Sequence, residues 1–302
     1  MTPKKLILPA LLVALTFSTF SFAQTAAQTG AQTATCTNWT FFAVPGGGRT
    51  LASGINRWDT VVGYTLDNSG THNLSGFIRW ANGGFSYYRF PGSTYTVLTR
   101  RNAQGVSVGY WSDSSSKLHG FALYGSKGVS IDYPGATTTL AFGINQWGSI
   151  VGEYTESSGN THGFELKDGK FSTIDVPGAV RTQATSISNK GVIVGIYYTT
   201  NSSSANANGF VLQNGSFTPI NDPNTPYDTY VSDINSSGTI VGVYFPDPNP
   251  HGYIYINGMY KDIVAPNSTP ESTTTSGING YGYVTGETSI NGVSHGYTAH
   301  CE

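Results

Sequence analysis

The chain contains six copies of one internal repeat, and this repetition limits what it can fold into. The clearest copy, GINQWGSIVGEYTESSGNTHGFELKDGKFSTIDVPG, occupies positions 143–178. Two glycines recur in every copy. The first falls at Gly63, Gly109, Gly152, Gly195, Gly242 and Gly286. The second precedes an aromatic residue and falls at Gly76, Gly120, Gly163, Gly209, Gly252 and Gly296. Neighbouring copies are therefore 43 to 47 residues apart.

Each copy holds four short runs typical of β-strands, with turn residues between them. In the clearest copy these runs are 139–145 (strand A), 149–154 (strand B), 162–167 (strand C) and 170–176 (strand D). About 44 residues and four strands per copy are typical of a β-propeller blade. The six copies therefore predict an all-β, six-bladed propeller with four antiparallel strands per blade. A solenoid is the competing architecture, and it would need distinct capping repeats at its ends.

The two ends of the chain complement each other. The segment CTNWTFFAVPG at 36–46 aligns with a strand D when Pro45 is placed on Pro177. The last copy supplies strands A, B and C in TSGIN, YVTGET and HGYTAHC, and the sequence ends before its strand D. We therefore expect the leading strand to complete the last blade and close the ring, which favours a propeller over a solenoid.

The same alignment explains why the two cysteines lie at opposite ends of the chain. With the repeats in register, Cys36 and Cys301 both fall on the position of Asp168, in one C-to-D turn. The alignment predicts a disulfide between them, which would persist in an exported protein. For the loop that it closes, of about 266 residues, the chain-entropy model gives roughly 5 kcal/mol of stabilisation.

The first 23 residues are predicted to be an export signal. Two lysines precede an apolar run at 6–15, and small residues occupy the cleavage site at Ser21 and Ala23. The next segment, 24–35, is uncharged and low in complexity, which predicts a flexible lead-in. The propeller then occupies 36–302 as one domain. Since no later run approaches about 18 unbroken apolar residues, we expect a secreted protein, extracellular or periplasmic, without a membrane span.

The charge balance argues against nucleic acid as a partner. The chain has 15 basic and 17 acidic residues, and loss of the signal peptide removes two lysines, so the mature net charge is 13 minus 17, or −4. A nucleic-acid-binding protein needs a basic stripe instead. The 38 glycines and the 11% of charged residues fit an all-β protein with many turns.

The repeat resembles a known family. The spacing GIN..G.IVG.Y, followed by HGF and ID.PGA, resembles the HAF repeat of bacterial extracellular proteins. The resemblance covers 36–302, with HGF or HGY in place of the HAF step and with SGF at Ser75 and NGF at Asn208. It implies an extracellular, propeller-like repeat protein. It implies no reaction, because the family has no established one.

Residues that recur across the repeats are expected to hold the fold. The recurring histidines are His119, His162, His251 and His295. They share one position in separate blades, so blade-to-blade hydrogen bonds are predicted rather than a metal site. The recurring asparagines are Asn56, Asn102, Asn145, Asn235 and Asn279. Most have a glycine three residues later, which predicts type I turns. Asp132 and Asp175 are predicted to cap turns, and the strand glycines to mark approaches of a neighbouring sheet. No metal or cofactor is expected.

Departures from the repeat are the candidates for function. Strand A borders the channel of a propeller, and there Arg100 and Arg101 replace the usual Gly-Ile while Asp233 replaces a glycine. They occur in repeats 2 and 5, which face each other in a six-membered ring. The three residues are predicted to line the channel and bind a charged ligand. Solvation or local pairing of their charges is the alternative.

Aromatic and acidic departures supply the other candidates. Trp58 and Trp147 occupy equivalent A-to-B turns, and Trp111 follows the strand-B glycine of repeat 2. Such rings could stack on sugars or anchor a protein partner, with core packing or simple turn contacts as the alternatives. Glu153 is a candidate as a lone acid. It should not pair with Glu287, which lies in the opposite blade, because glycoside hydrolysis needs carboxyls roughly 5 to 10 Å apart.

Two classes of function follow from these candidates. The favoured one is a secreted, non-catalytic binding module for an extracellular glycan or protein. The alternative is a carbohydrate-active hydrolase or lyase that uses Asp233, Arg100, Arg101 or tyrosine hydroxyls at the channel mouth. The sequence contains no nucleophile elbow, zinc-ligand spacing or phosphate loop, which favours binding over catalysis.

Overall fold

The computed structural model describes residues 32–67, 74–202, 206–221, 228–245 and 249–302. The predicted signal peptide, and residues 24–31 of the predicted lead-in, lie outside the described residues. The first strands are β1 (Gln32–Thr33), β2 (Cys36–Phe42), β3 (Gly47–Ile55), β4 (Val61–Asp67), β5 (Ser75–Arg79), β6 (Phe85–Tyr88), β7 (Tyr95–Arg101), β8 (Val106–Ser112), β9 (Leu118–Tyr124) and β10 (Lys127–Ile131).

The remaining elements continue the same pattern of short strands. The middle strands are β11 (Thr138–Ile144), β12 (Ile150–Thr155), β13 (Thr161–Lys167), β14 (Lys170–Ile174), β15 (Arg181–Ile187), β16 (Ile193–Tyr198), β17 (Asn208–Gln213) and β18 (Ser216–Ile220). The last strands are β19 (Thr229–Ile234), β20 (Ile240–Tyr244), β21 (His251–Ile256), β22 (Met259–Asp262), β23 (Thr273–Ile278), β24 (Tyr283–Ile290) and β25 (Val293–Cys301). A 3₁₀ helix at Pro270–Ser272 precedes β23.

Each sequence repeat forms an antiparallel meander. Strands β3 to β6 form one four-stranded sheet and β7 to β10 another, while β19 to β22 form a sheet that β1 joins in parallel. Strands β11 to β18 form an eight-stranded sheet, in which a single residue pair, Thr161 with Arg181, connects β13 to β15. In the last sheet β2 pairs with β25, so the leading strand supplies the fourth strand of the sixth repeat. The fold is an all-β β-propeller.

The sheets pack face to face through the recurring apolar residues. The aromatic residue after the second glycine is fully buried in all six repeats. In repeat 3 this residue is Phe164, which packs with Val108 and Ala141 in one core cluster. Burying one such side chain stabilises the fold by about 2 to 3 kcal/mol. The first strands of successive repeats contact one another in order, and β23 contacts β3.

The two recurring glycines are required by different packing contacts. Strands β11 and β12 shift register between Ala141 and Gly143, and a Cβ added at Gly152 would lie 1.9 Å from the carbonyl oxygen of Leu140. That glycine is therefore required by the neighbouring strand of its own sheet, which corrects the sequence prediction. A Cβ on the second glycine can meet the next repeat instead: at Gly76 it would lie 2.8 Å from the Cγ of Leu98, as predicted.

The disulfide prediction is confirmed. Cys36 and Cys301 are directly opposite in the β2–β25 ladder and are bonded through their sulfur atoms. Next to them, the amide of Glu302 donates to the Thr35 carbonyl over 3.0 Å. Ala34 is buried, and its amide donates to the carbonyl of Asp262 over 2.8 Å. The last residues of the predicted lead-in thus contact the sheets of repeats 5 and 6.

Candidate functional site

The A-to-B turns are tied together by the recurring asparagines. In repeat 3 the amide of Gly148 donates to the Asn145 carbonyl over 3.2 Å, which confirms the predicted turn. The Oδ1 of Asn145 also accepts from the amides of Trp147 and Ser149, both over 3.0 Å. In four other repeats the Nδ2 of the recurring asparagine donates to the next asparagine in the series, a contact that sequence reasoning missed. That of Asn102 bonds the carbonyl of Asn145 in the next repeat over 3.1 Å. Equivalent bonds join Asn56 to Asn102, Asn235 to Asn279, and Asn279 to Asn56.

These turns surround a cavity of about 280 Å³ where the first strands of the repeats meet. Its lining includes polar side chains from several repeats, among them Arg57, Arg101, Gln146 and Asn189. Tyr281 also contributes to the wall. A concave surface with a few convergent polar groups beside aromatic rings is the usual form of a small-ligand site.

Arg100 is a buried residue of this cavity, and most N–H groups of its guanidinium donate to protein carbonyls. Its Nη2 donates to the carbonyls of Ser232, over 2.6 Å, and Ser276, over 2.8 Å. Its Nη1 donates to the Thr99 carbonyl over 2.8 Å and also to the carbonyl of Ser53. The guanidinium therefore ties together the first strands of four repeats, 1, 2, 5 and 6.

Asp233 compensates the charge of Arg100. Its Oδ2 lies 3.3 Å from the Nε of Arg100, without the geometry of a hydrogen bond, and accepts from the amide of Ile278 over 2.9 Å. Its Oδ1 accepts from the Ser186 hydroxyl over 2.5 Å and from the amide of Ile234 over 2.9 Å. Both charged side chains are buried. The structure thus brings the two predicted residues together, as an internal ion pair.

The repeat explains why this pair fits. The positions equivalent to Arg100 and Asp233 are glycine in three other repeats, Gly54, Gly143 and Gly277. A Cβ at Gly54 would lie 2.9 Å from the Cδ of Arg100. The missing side chains therefore leave the space that the long arginine fills, close to the point where the first strands meet.

Arg101 has a different environment from Arg100. Its Nη1 donates to the Ser107 hydroxyl over 2.8 Å, and its guanidinium lies 5.4 Å from the centre of the Trp80 ring. Burial lowers the pKa of Arg101. Among the ion pairs of the described residues, none joins Arg101 to a carboxylate. This side chain therefore brings an uncompensated positive charge to the cavity wall.

Three aromatic side chains project from the turns around the cavity. Trp147 is 74% exposed, and Trp58 and Tyr281 are each 58% exposed. The indole nitrogens donate to carbonyls of the next repeat, Trp147 to Asn189 over 3.0 Å and Trp58 to Ala103 over 3.2 Å. Each indole is held in place by its polar end while much of the side chain faces solvent.

Arg57, which sequence reasoning missed, joins two of these aromatic residues. Its guanidinium lies 4.6 Å from the centre of the Trp58 ring, and its Nη2 donates to the Tyr281 hydroxyl over 3.3 Å. The only sequence signal was its position beside Trp58, in a turn whose equivalent residue differs in every repeat.

Trp111 lies away from the cavity, in a stack of rings. Its ring is 4.4 Å from that of Phe90, with 8° between their planes, and 4.5 Å from the His119 ring on the other strand. The equivalent stack in repeat 3 contains Tyr133, Tyr154 and His162. These contacts match the packing alternative for Trp111.

Glu153 also has local partners. It is 3% exposed, accepts a hydrogen bond from Gln183, and lies 3.4 Å from the Nη2 of Arg181 in the next repeat. Glu287 is bound in the equivalent way by Arg49, whose Nε and Nη2 donate to its two oxygens over 2.5 and 2.7 Å. The two glutamates therefore join neighbouring repeats.

The histidine prediction is wrong for three repeats, since the Nδ1 of His295 lies 2.9 Å from the Val293 carbonyl oxygen of its own repeat. The Nδ1 of His119 lies 2.7 Å from an oxygen of Asp132, and that of His162 lies 2.9 Å from an oxygen of Asp175. Each pair is within one repeat, and the aspartates bind histidine rather than capping a turn. Among the described residues no group of three or more His, Cys, Asp or Glu side chains could hold a metal ion.

A second cavity, of about 390 Å³, lies in repeat 1. The positions of the stacked Phe90, Trp111 and His119 are there occupied by smaller side chains. These are Val44, Thr65 and Ser75. Tyr87 and Arg89 also line this cavity. The aromatic stack that fills this position in repeat 2 is therefore absent from repeat 1.

The comparisons with known proteins agree with a β-propeller. No protein-family model and no curated protein matches the chain. Among solved structures, a variant of the Aleuria aurantia lectin in complex with Fucα1-6GlcNAc has a TM-score of 0.52 and 16% identity, covering 83% of this chain and 91% of the lectin. TolB from Acinetobacter baumannii has a TM-score of 0.53 and 14% identity, covering 80% of this chain and 64% of TolB.

A further structure of the Aleuria aurantia lectin, described as a six-bladed β-propeller with a novel fucose recognition mode, has a TM-score of 0.50 and 15% identity. It covers 88% of this chain and 91% of the lectin. At these identities the likeness shows the fold. Among the described residues no helix is long and apolar enough to span a membrane.

Proposed function

We propose that this protein is a non-catalytic binding module that recognises an extracellular glycan at the cavity between its A-to-B turns. The observation that carries the proposal is the ring of exposed aromatic side chains, Trp58, Trp147 and Tyr281, beside a polar cavity. An aromatic ring offers an apolar surface to the C–H face of a sugar, while amides and guanidinium groups can bind its hydroxyls. The lectin propellers share the fold, which is compatible with this role.

We infer that the fold is a closed ring of six blades. Three observations support this count. Each repeat forms its own four-stranded meander, counting β2 with the sixth. The eight-stranded sheet is joined across its middle by one residue pair and so counts as two blades. The first and last repeats are linked by the bond from Asn279 to Asn56 and by the Arg49–Glu287 pair.

A binding role suits this cavity better than hydrolysis. Among the described residues that line the cavity, Asp233 is the one with a carboxylate. Its oxygens contact Arg100 and accept hydrogen bonds from Ser186, Ile234 and Ile278. Acid–base hydrolysis of a glycoside needs two carboxyl groups beside the bond that is cleaved. Glu153, the other candidate acid, is buried against Arg181 and Gln183.

We propose further that the protein is exported. The predicted signal at 1–23 and the Cys36–Cys301 disulfide support a location outside the cytoplasm, because such bonds persist in oxidising compartments. Membership of the HAF-repeat family stays a prediction. It rests on the repeat spacing described above.

The experiment is a glycan array probed with the mature protein, followed by calorimetric titration of the best ligand. Trp147→Ala should raise the Kd by about tenfold, since an aromatic side chain that is covered by its ligand contributes about 1 to 2 kcal/mol to binding. Tyr87→Ala is the matched control. Tyr87 is 52% exposed but lines the second cavity, so its loss should leave the Kd unchanged.

Two results would contradict the proposal. The first is the absence of binding to any glycan by the folded protein. The second is loss of binding in Tyr87→Ala but not in Trp147→Ala, which would move the site to repeat 1. A parallel assay for released reducing ends tests the enzyme alternative. Sugar release that disappears in a folded Asp233→Ala variant would establish a hydrolase instead.

A further inference from the structure

The cavity carries an excess of positive charge in a protein whose net charge is negative. Its charged lining residues are Arg57, Arg100, Arg101 and Asp233, which sum to a formal charge of +2. The whole chain, in contrast, has a formal charge of −2. Since Asp233 neutralises Arg100 at 3.3 Å, the excess belongs to Arg57 and Arg101.

Neither of these two arginines has a carboxylate partner in the described part of the chain. Their side-chain contacts are hydroxyl groups and aromatic rings, namely Tyr281 and Trp58 for Arg57, and Ser107 and Trp80 for Arg101. These contacts orient each guanidinium but do not cancel its charge. Both retain N–H groups that can donate to a ligand, since a guanidinium has five.

Arg49, in contrast to these two arginines, has an acidic partner that offsets the effect of burial on its pKa. Burial lowers the pKa of Arg49, but the hydrogen bond and charge of Glu287 outweigh this and leave the pKa raised. Burial lowers the pKa of Arg101 without such an offset. An anion that binds beside a partly desolvated arginine without an acidic partner stabilises the charged form of that arginine.

The other charged groups of the A-to-B turns do not reverse this excess. Lys190 is exposed and occupies the position equivalent to Trp58 and Trp147. Asp59 is the carboxylate of these turns, and its Oδ1 accepts from the Nδ2 of Asn279 over 3.2 Å. It does not belong to the cavity lining. The A-to-B turns outside the cavity lining therefore carry one further cation and one carboxylate. The excess positive charge of the cavity itself is unchanged.

We propose that the ligand is an acidic glycan, whose carboxylate groups bind Arg57 and Arg101 while its sugar rings contact the exposed aromatic side chains. This rests on the proposed glycan-binding function and specifies its ligand. A planar guanidinium matches a carboxylate with two parallel hydrogen bonds. Beside Trp58 and Tyr281, Arg57 places this charge next to surfaces that suit a sugar ring.

The test compares acidic glycans with neutral forms of the same chains. Oligomers of galacturonate, glucuronate and guluronate are titrated beside their carboxyl-reduced forms, which keep the chain and lose the charge. At least one acidic oligomer should bind at least tenfold more tightly than its reduced form at 50 mM salt. The difference should shrink at 0.5 M salt, because ions screen exposed charges.

Variants then locate the charge. Arg57→Gln and Arg101→Gln should each weaken binding of the acidic oligomer about three- to tenfold and should weaken binding of its carboxyl-reduced form less. Lys117→Gln is the control, because Lys117 is an exposed cation in a B-to-C turn, at the other end of the strands. Arg57 is exposed, so its replacement should leave the fold intact even if that of Arg101 does not.

The outcomes separate the two proposals. Binding of neutral glycans without any preference for the acidic forms would overturn this inference and leave the glycan-binding function in place. A preference for acidic forms that Lys117→Gln reduces as much as Arg57→Gln would also overturn it, because the charge would then act from a distance. Failure to bind any glycan would overturn both proposals.

Discussion

The buried pair of Arg100 and Asp233 should be coupled in its effect on stability. Replacing Arg100 with Met removes the four carbonyl hydrogen bonds and leaves the buried carboxylate without a cation. Breaking a buried ion pair in this way costs about 3 to 5 kcal/mol. We expect about 3 kcal/mol, because Asp233 keeps its bonds from Ser186, Ile234 and Ile278.

The double variant tests this reasoning. Asp233→Ala should cost about 2 to 3 kcal/mol, since it leaves the Arg100 charge buried. The double variant, Arg100→Met with Asp233→Ala, leaves no buried charge without a partner. Its loss of unfolding free energy should therefore be about 2 kcal/mol smaller than the sum of the two single losses. Urea unfolding followed by tryptophan fluorescence measures all three free energies of unfolding.

The control replaces a neighbouring arginine that has no acidic partner. Arg101→Met combined with Asp233→Ala should be additive within about 0.5 kcal/mol, the usual limit for independent sites. If the Arg100 and Asp233 replacements were equally additive, the two charges would not stabilise each other. The interpretation of this pair as an internal support of the cavity would then be refuted.

Two further predictions concern the repeat and the disulfide. Gly152→Ala should lower the free energy of unfolding by about 3 kcal/mol, because its Cβ would lie 1.9 Å from a carbonyl oxygen. Gly280→Ala is the control. A Cβ there has no atom within 4 Å, so the free energy of unfolding should change by less than about 0.5 kcal/mol. A small effect at Gly152 would contradict the close approach. Replacing Cys36 and Cys301 by Ser should cost about 2 to 5 kcal/mol, measured by urea unfolding. An unchanged midpoint would count against the disulfide as a constraint on the unfolded chain.

Much of the fold could be predicted because a repeat encodes the same local structure several times. The four predicted strands of repeat 3 agree with β11 to β14 within two residues at each end. The alignment also placed Cys36 and Cys301 at one turn, where they are bonded. Each of these conclusions depends on the order of residues within one repeat, or on two copies compared position by position.

The candidate site was predicted less completely, because its partners come from different repeats. Sequence reasoning selected Arg100, Arg101 and Asp233 for the channel, and all three line the cavity. It did not show that Arg100 and Asp233 bind each other while Arg101 lacks an acid. It also did not identify Arg57, whose contacts with Trp58 and Tyr281 join the first and last repeats.

The sequence alone determined the strand pattern, the repeat length and the disulfide between Cys36 and Cys301, since these follow from local order and repetition. The tertiary structure decided which departures from the repeat meet. Trp111 packs between Phe90 and His119, and Glu153 lies against Arg181 of the next repeat, whereas Trp147 stays exposed. The physical reason is that side-chain contacts between sheets depend on distances in space. Residues at one repeat position have the same local sequence environment but different neighbours across the interface.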